Sequence, residues 1–161
     1  MLQPHWYRAQ YYNNPNIPYL SYANVYKCIT EDERIKVLMN QNSFNGEFFN
    51  SRPYKNPINI SEIERYVTID PTNIAFTIRD FELLNDQLWL IIQIIPTPSG
   101  KLLEDALTAY DAVKAIQEPT WEVKFSGRYT MFYGGRLVTI DAVMMNHEDN
   151  IRSEMREYES D

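Results

Sequence analysis

Cysteine and histidine are nearly absent from this chain of 161 residues: Cys28 stands alone, and His5 and His147 lie near opposite ends. A lone cysteine excludes a disulfide within the chain and any cysteine-rich zinc site, and it implies a reduced thiol. Two histidines so far apart in sequence leave little basis for histidine catalysis or a metal centre. Positive charge is also short, with 15 Lys and Arg against 22 Asp and Glu, a formal net charge of −7. That balance argues against broad binding to a phosphate backbone, which needs a basic face. There is no G-x-x-x-x-G-K-[ST] phosphate loop. The longest apolar run, residues 88–95, is interrupted by Gln93 and falls far short of the ~20 residues of a membrane helix. The N-terminus lacks a basic region followed by an apolar one, so no targeting signal is read there. The expectation is a soluble protein with no cofactor, no metal, no nucleic-acid partner and no membrane partner.

Apolar and aromatic residues are well supplied, at 44% and 14% of the chain. The length suits one domain, which at this size buries roughly 68–70% of its unfolded surface. Residues 1–24 stand apart. They hold Trp6, Tyr7, Tyr11, Tyr12, Tyr19 and Tyr22, with Pro4, Pro15 and Pro18 between them. Each proline fixes its own φ and biases the preceding residue away from helix. No helical or strand period emerges, so these residues read as an extended aromatic arm lying outside the domain. Its six aromatic side chains are the candidate partner-binding residues, since such rings combine large contact area with small entropy loss. Residues 146–161 read as a solvated acidic tail; from residue 147 on it carries six acids and two bases. Residues 25–145 form the expected domain.

Within that domain, residues 24–30 read as a short strand, and residues 31–38 as a helical turn or a second strand. Ser61 and Glu64 fit the S/T-x-x-E capping box of a short helix. Residues 73–84 alternate in part, Asn85-Asp86 is a turn, and residues 87–95 form a buried strand, together an antiparallel hairpin. Thr97 and Pro98 are a good N-cap and first helical residue. The helix they open spans residues 98–117, with Leu103, Ala106, Leu107 and Tyr110 as its apolar stripe. Residues 121–125, 128–133 and 137–144 read as strands, with Gly134-Gly135 as a tight hairpin. The fold class is α+β: a mostly antiparallel sheet or small β-barrel with one main packed helix.

Four segments, in order, resemble the prohead core protease family of tailed bacteriophages, the myovirus-type maturation proteases with an assemblin-like fold. Asn42-Ser43-Phe44-Asn45-Gly46-Glu47-Phe48-Phe49 is similar to an early Asn-x-Asn-Gly-x-x-Tyr element. Asn73-Ile74-Ala75-Phe76-Thr77-Ile78-Arg79-Asp80-Phe81 resembles an Asn-Val-Ser-His-x-Ile-x-x-Leu strand. Ile94-Ile95-Pro96-Thr97-Pro98-Ser99-Gly100-Lys101 resembles an Ile-Leu-x-Thr-Pro-x-Gly-Lys junction. Arg136-Leu137-Val138-Thr139-Ile140-Asp141-Ala142-Val143 resembles a Leu-Val-Thr-Ile-Asp-Ile-Val strand. The resemblance spans about two-thirds of the chain and implies a serine endopeptidase fold.

The departures fall on the chemistry. The family's nucleophile lies in Gly-Val-Ser-Ser-Arg-Gly; here Lys124-Phe125-Ser126-Gly127-Arg128-Tyr129 keeps one serine, Ser126, and puts Gly127 in place of the other. The family's catalytic histidine has no counterpart, since residues 49–72 contain none, and Phe76 replaces a second histidine. A serine hydroxyl is a weak nucleophile without an adjacent base. Lys101 and Lys124 are the remaining candidates, each requiring desolvation. Glu62, Glu64 and Asp70 offer carboxylates with no histidine at metal-ligand spacing. The resemblance and the departures together imply a non-catalytic structural or assembly protein of a phage virion, in the head or connector. As such it would be present in several copies or as a homo-oligomer, contacting capsid or portal-region proteins in the virion and, during assembly, in the host cytoplasm. The alternatives are an active serine endopeptidase using Ser126 on capsid or scaffold proteins, and a regulator that binds the true protease.

Overall fold

Asn85 and Asp86 both adopt left-handed φ, 51° and 61°. That is the backbone of a type I′ turn, whose twist matches the strands of a two-residue hairpin. They join β3 (Ile74–Leu84) to β4 (Gln87–Ile94), paired antiparallel from Leu84↔Gln87 to Phe76↔Ile94. The computed structural model describes residues 3–12, 21–51, 59–129 and 136–146. In it the hairpin is part of a closed six-stranded barrel completed by β1 (Trp6–Tyr12), β2 (Asn45–Phe49), β5 (Trp121–Tyr129) and β6 (Leu137–Asn146), in the order β1-β4-β3-β2-β6-β5. The β1–β5 and β2–β6 pairings are parallel and the other four antiparallel. The fold is therefore α+β and a small barrel, as expected.

Leu88, Leu90, Ile92 and Ile94 point into the barrel, where they meet Phe76, Ile78 and Phe81. A register slip between Ile78 and Asp80 lets β3 keep apolar side chains inward on both sides of the bulge. That slip is why simple alternation fades beyond Ile78.

The aromatic arm is corrected by this architecture. Trp6–Tyr12 is β1, paired with β4 over Trp6↔Gln93 to Gln10↔Trp89 and with β5 at Tyr11↔Phe125 and Tyr12↔Ser126. Its period is two: Tyr7, Ala9 and Tyr11 belong to the core, while Trp6, Arg8 and Gln10 alternate with them. The inward set is two tyrosines and an alanine, and the equally aromatic Trp6 and Tyr12 on the other face mask the alternation in the sequence. The domain thus begins before residue 25. Tyr19, like the tail from residue 147 and the Gly134-Gly135 turn, lies outside the described residues.

Residues 24–30 are also corrected, from strand to helix. They belong to α1 (Tyr22–Glu31), whose N-cap Ser21 accepts a hydrogen bond from the Asn24 N–H, and which buries Val25 and Ile29 one turn apart. Residues 31–38 continue into α2 (Glu33–Asn40), capped by Asp32. β-branched residues in this stretch favoured a strand locally; burial at spacing four decided for helix. α3 (Ile60–Val67) takes Asn59 as its cap rather than Ser61. Residues 121–129 form one strand rather than two.

Among the described residues there are four α-helices, of which α4 (Pro98–Lys114) is the longest. It buries Leu103 and Ala106 against the sheet, with Leu107 half-buried and Tyr110 edge-on to Trp121 at 5.6 Å between ring centres. Gly100 lets its first turn close on the backbone: a Cβ there would strike the Ile95 carbonyl and lie 3.0 Å from that of Ala75. No helix among the described residues is long and apolar enough to cross a membrane.

Candidate functional site

β5 carries the segment in which the resemblance places a nucleophile. Trp121, Val123, Phe125 and Tyr129 face the core, so Lys124, Ser126 and Arg128 take the outer face. Gly127 is on the inner side. A Cβ there would lie 2.7 Å from both the Tyr11 hydroxyl and the Tyr129 ring, so a second serine has no room behind Ser126. Ser126 is half-buried and stands between two cross-strand neighbours, Asp141 on β6 and Tyr12 on β1.

Asp141 is held by Arg128. The Arg128 Nε–H and one Nη2–H donate to its two carboxylate oxygens, each at 2.9 Å. Nη2 also donates to Glu47 at 2.7 Å, and Nη1 donates to the Tyr66 and Thr68 carbonyls at 3.1 and 2.7 Å. All five guanidinium N–H groups thus have a partner. Glu47, on β2, accepts further bonds from Arg65 at 2.6 and 3.2 Å and from the Asn73 amide at 3.2 Å. The Ser99 hydroxyl donates to Asn73 at 2.8 Å. The Glu47 backbone N–H donates to Asp141 at 3.1 Å. Two carboxylates and two guanidiniums therefore form one neutral cluster that ties β2, β5 and β6 to α3 and reaches the first turn of α4. Glu47 is wholly buried, and Arg128 and Asp141 nearly so.

The two carboxylates respond oppositely. Burial alone would raise Glu47, but bonds from Arg65 and Arg128 outweigh it and hold the carboxyl below its ordinary value. Burial dominates at Asp141 and pushes it up, against the pull of Arg128. Phe76, where the sequence resemblance asks for a histidine, is fully buried and packs edge-on to Phe125 at 5.4 Å.

The other expected residues are placed elsewhere. His5 precedes β1 and its Nδ1 lies 2.8 Å from Glu104 on α4. Ser126 pairs with Tyr12, seven residues along β1, which at ~3.3 Å per residue puts His5 roughly 20 Å away. His147 is outside the described residues. The Lys124 ammonium is 3.5 Å from Glu122 and sits over the Tyr12 ring at 5.2 Å. Lys101 lines a cleft together with His5, and Ser126 is not part of that lining. Asp70 caps the short turn at Thr72. Among the described residues no cluster of three His, Cys, Asp or Glu could hold a metal ion. Of the aromatic set, Tyr11 is wholly buried, its hydroxyl 2.8 Å from that of Tyr129. Trp6, Tyr7, Tyr12 and Tyr22 are half-buried against their own barrel. Sequence reasoning missed Glu47 and Arg65. A signal existed for one: Glu47 is a charge set between aromatic residues, Phe44 before it and Phe48 and Phe49 after it.

No family model matches the chain, and no curated protein does. Among solved structures it matches that of the bacteriophage T4 capsid assembly protease, gp21, with 17% identity, 86% of this chain and 80% of that chain covered, and a TM-score of 0.40.

Proposed function

We propose that this chain is a non-catalytic structural or assembly protein of a tailed-phage particle, built on a small barrel whose sequence resembles prohead proteases. The assembly setting rests on the four ordered segments of that resemblance. The absence of catalysis is argued from one observation: the carboxylate directly across from Ser126 has both oxygens held by Arg128. A nucleophilic serine needs a neighbour able to take its proton. Asp141 is bound into an ion cluster, Lys124 is engaged with Glu122, and His5 is roughly 20 Å off by the strand geometry. Arg128, two residues beyond Ser126, is committed to a structural clasp with Asp141 and Glu47.

A serine-reactive fluorophosphonate probe tests the reading, together with incubation with candidate capsid and scaffold substrates. The expected outcome is no labelling and no cleavage. Labelling at Ser126 that disappears in Ser126→Ala would establish an active hydrolase instead. Recovery of the chain in purified particles at fixed copy number would separate a structural component from a regulator of the true protease.

A further inference from the structure

Among the described residues, α3 is the one α-helix that adds nothing to the apolar core. Val25 and Ile29 of α1, Ile35 of α2 and Leu103 of α4 are buried in it, whereas no residue of α3 is buried or packs against it. Ile60 and Val67 are exposed, and Ile63 and Tyr66 are half-buried without joining the core. The ion cluster meets the helix instead. Arg65 donates to both oxygens of Glu47, and Arg128 donates to the Tyr66 and Thr68 carbonyls. Those carbonyls sit in the last turn and at the C-cap, where a helix leaves acceptors unpaired and favours a cation. The Phe49 ring lies beneath both guanidiniums, at 5.8 and 5.9 Å. The cluster itself is on the outside of the barrel wall. Glu47 and Asp141 alternate with the core residues Phe48, Ile140 and Ala142, and Arg128 is on the outer face of β5. Charges facing outward are ordinarily hydrated, yet Glu47 is 0% exposed and Arg128 and Asp141 are 4% exposed. The end of α3 covers them.

We propose that α3 is a lid on the ion cluster, with Arg65 as its catch, and that it opens as a unit while the barrel stays folded. Closure takes water from two carboxylates and the Arg128 guanidinium, a penalty that ion pairing offsets only narrowly. In α1, α2 and α4 apolar burial adds to the balance; in α3 it does not. Elements with few buried apolar contacts are the ones that open below the global unfolding free energy. Opening returns water to the cluster and frees the two Arg128 Nη1 N–H groups from the carbonyls. It thereby uncovers the outer face of β5 around Arg128, two residues from Ser126, which the closed lid shields. The inference concerns the cover of that face and stands whether Ser126 is inert or catalytic.

Native-state amide hydrogen exchange of the full chain, read residue by residue by NMR, tests the lid. The amides of Ile63 to Val67 are expected to exchange through one shared opening, about a hundredfold faster than the β3–β4 ladder and with a weaker dependence on denaturant. Arg65→Lys keeps the charge and loses the two-pronged contact with Glu47. It should speed exchange in α3 about tenfold and leave the ladder within about twofold. Ile63→Ala should speed α3 by less than Arg65→Lys does, since the catch is ionic. Exchange of α3 at the ladder's rate would overturn the proposal, because the helix would then leave only with the barrel. Exchange at the rate of an unstructured peptide would overturn it too, because there would be no closed state. So would equal acceleration of α3 and the ladder by Arg65→Lys, or failure of that variant to fold, either of which would make the contact part of the global core. A larger effect of Ile63→Ala than of Arg65→Lys would replace the ionic catch with apolar packing.

Discussion

Arg128 is the residue on which the candidate site turns. Replacing it with methionine keeps most of the volume but leaves Glu47 and Asp141 buried without their shared cation. Removal of one partner of a buried ion cluster costs about 3–5 kcal/mol, so Arg128→Met should lower denaturant stability by that amount. A change below about 1 kcal/mol would mean that water reaches the cluster and the clasp is not closed. Tyr11 and Tyr129 carry a second prediction. Burial is the largest cause raising both hydroxyls above the usual 10.0. A group whose folded pKa is raised contributes stability that is complete below its unfolded value and declines as pH rises beyond it. The contribution of these two hydroxyls should therefore be flat to about pH 9 and fall above about pH 10. Tyr11→Phe should make that alkaline slope shallower, since one fewer proton is released on unfolding. An unchanged slope in a titrated denaturation series would show that Tyr11 ionises as freely folded as unfolded. Neither pairing was visible in the linear chain. Arg128 and Asp141 are 13 residues apart and read as parts of separate motifs. Their contact depends on β5 and β6 lying side by side with both residues on the outer face.

The helix α4 and the hairpin β3–β4 were legible because their signals are local. Thr97 caps, Pro98 starts, and an apolar stripe at spacing three, four and seven defines the buried face without reference to anything distant. Leu103 is wholly buried and Leu102 is 60% exposed. Leu103→Ala should cost about 2–5 kcal/mol, as buried leucine truncations do, and Leu102→Ala under about 0.5 kcal/mol. Equal losses in thermal or denaturant melts would place the helix in a different rotation. The helices α1 and α2 were less legible. They are short, of ten and eight residues, below the length at which helices persist alone. Their type is settled by packing: Val25 and Ile29 from one and Ile35 from the other join the core only in helical phase.

For the whole molecule, the decisive fact is that the barrel closes through β1. Its parallel contact with β5 spans two register pairs, Tyr11↔Phe125 and Tyr12↔Ser126, while its antiparallel contact with β4 is longer. Deleting residues 1–12 would expose the edges of β4 and β5 together and remove Tyr11 from the core. Such edges template aggregation. The truncated chain is expected to lose cooperative unfolding and to aggregate, measured by circular dichroism melts and size-exclusion chromatography. A folded, soluble truncation would show instead that the first strand is an accessory, as an aromatic docking arm would be.

Local chemistry, carried by the sequence alone, determined the α+β class, the Asn85-Asp86 hairpin, the long helix and its buried stripe, because turn, cap and period act between residues a few positions apart. It also put Phe76 and Gly127 where the resemblance asks for histidine and serine. The tertiary structure decided which strands are neighbours, and with that the fate of the aromatic N-terminus and the meaning of Glu47, Arg65, Arg128 and Asp141. A tyrosine becomes core, and a charge becomes a clasp, only when remote segments remove water from both sides. That is a property of closure, and no window along the chain contains it.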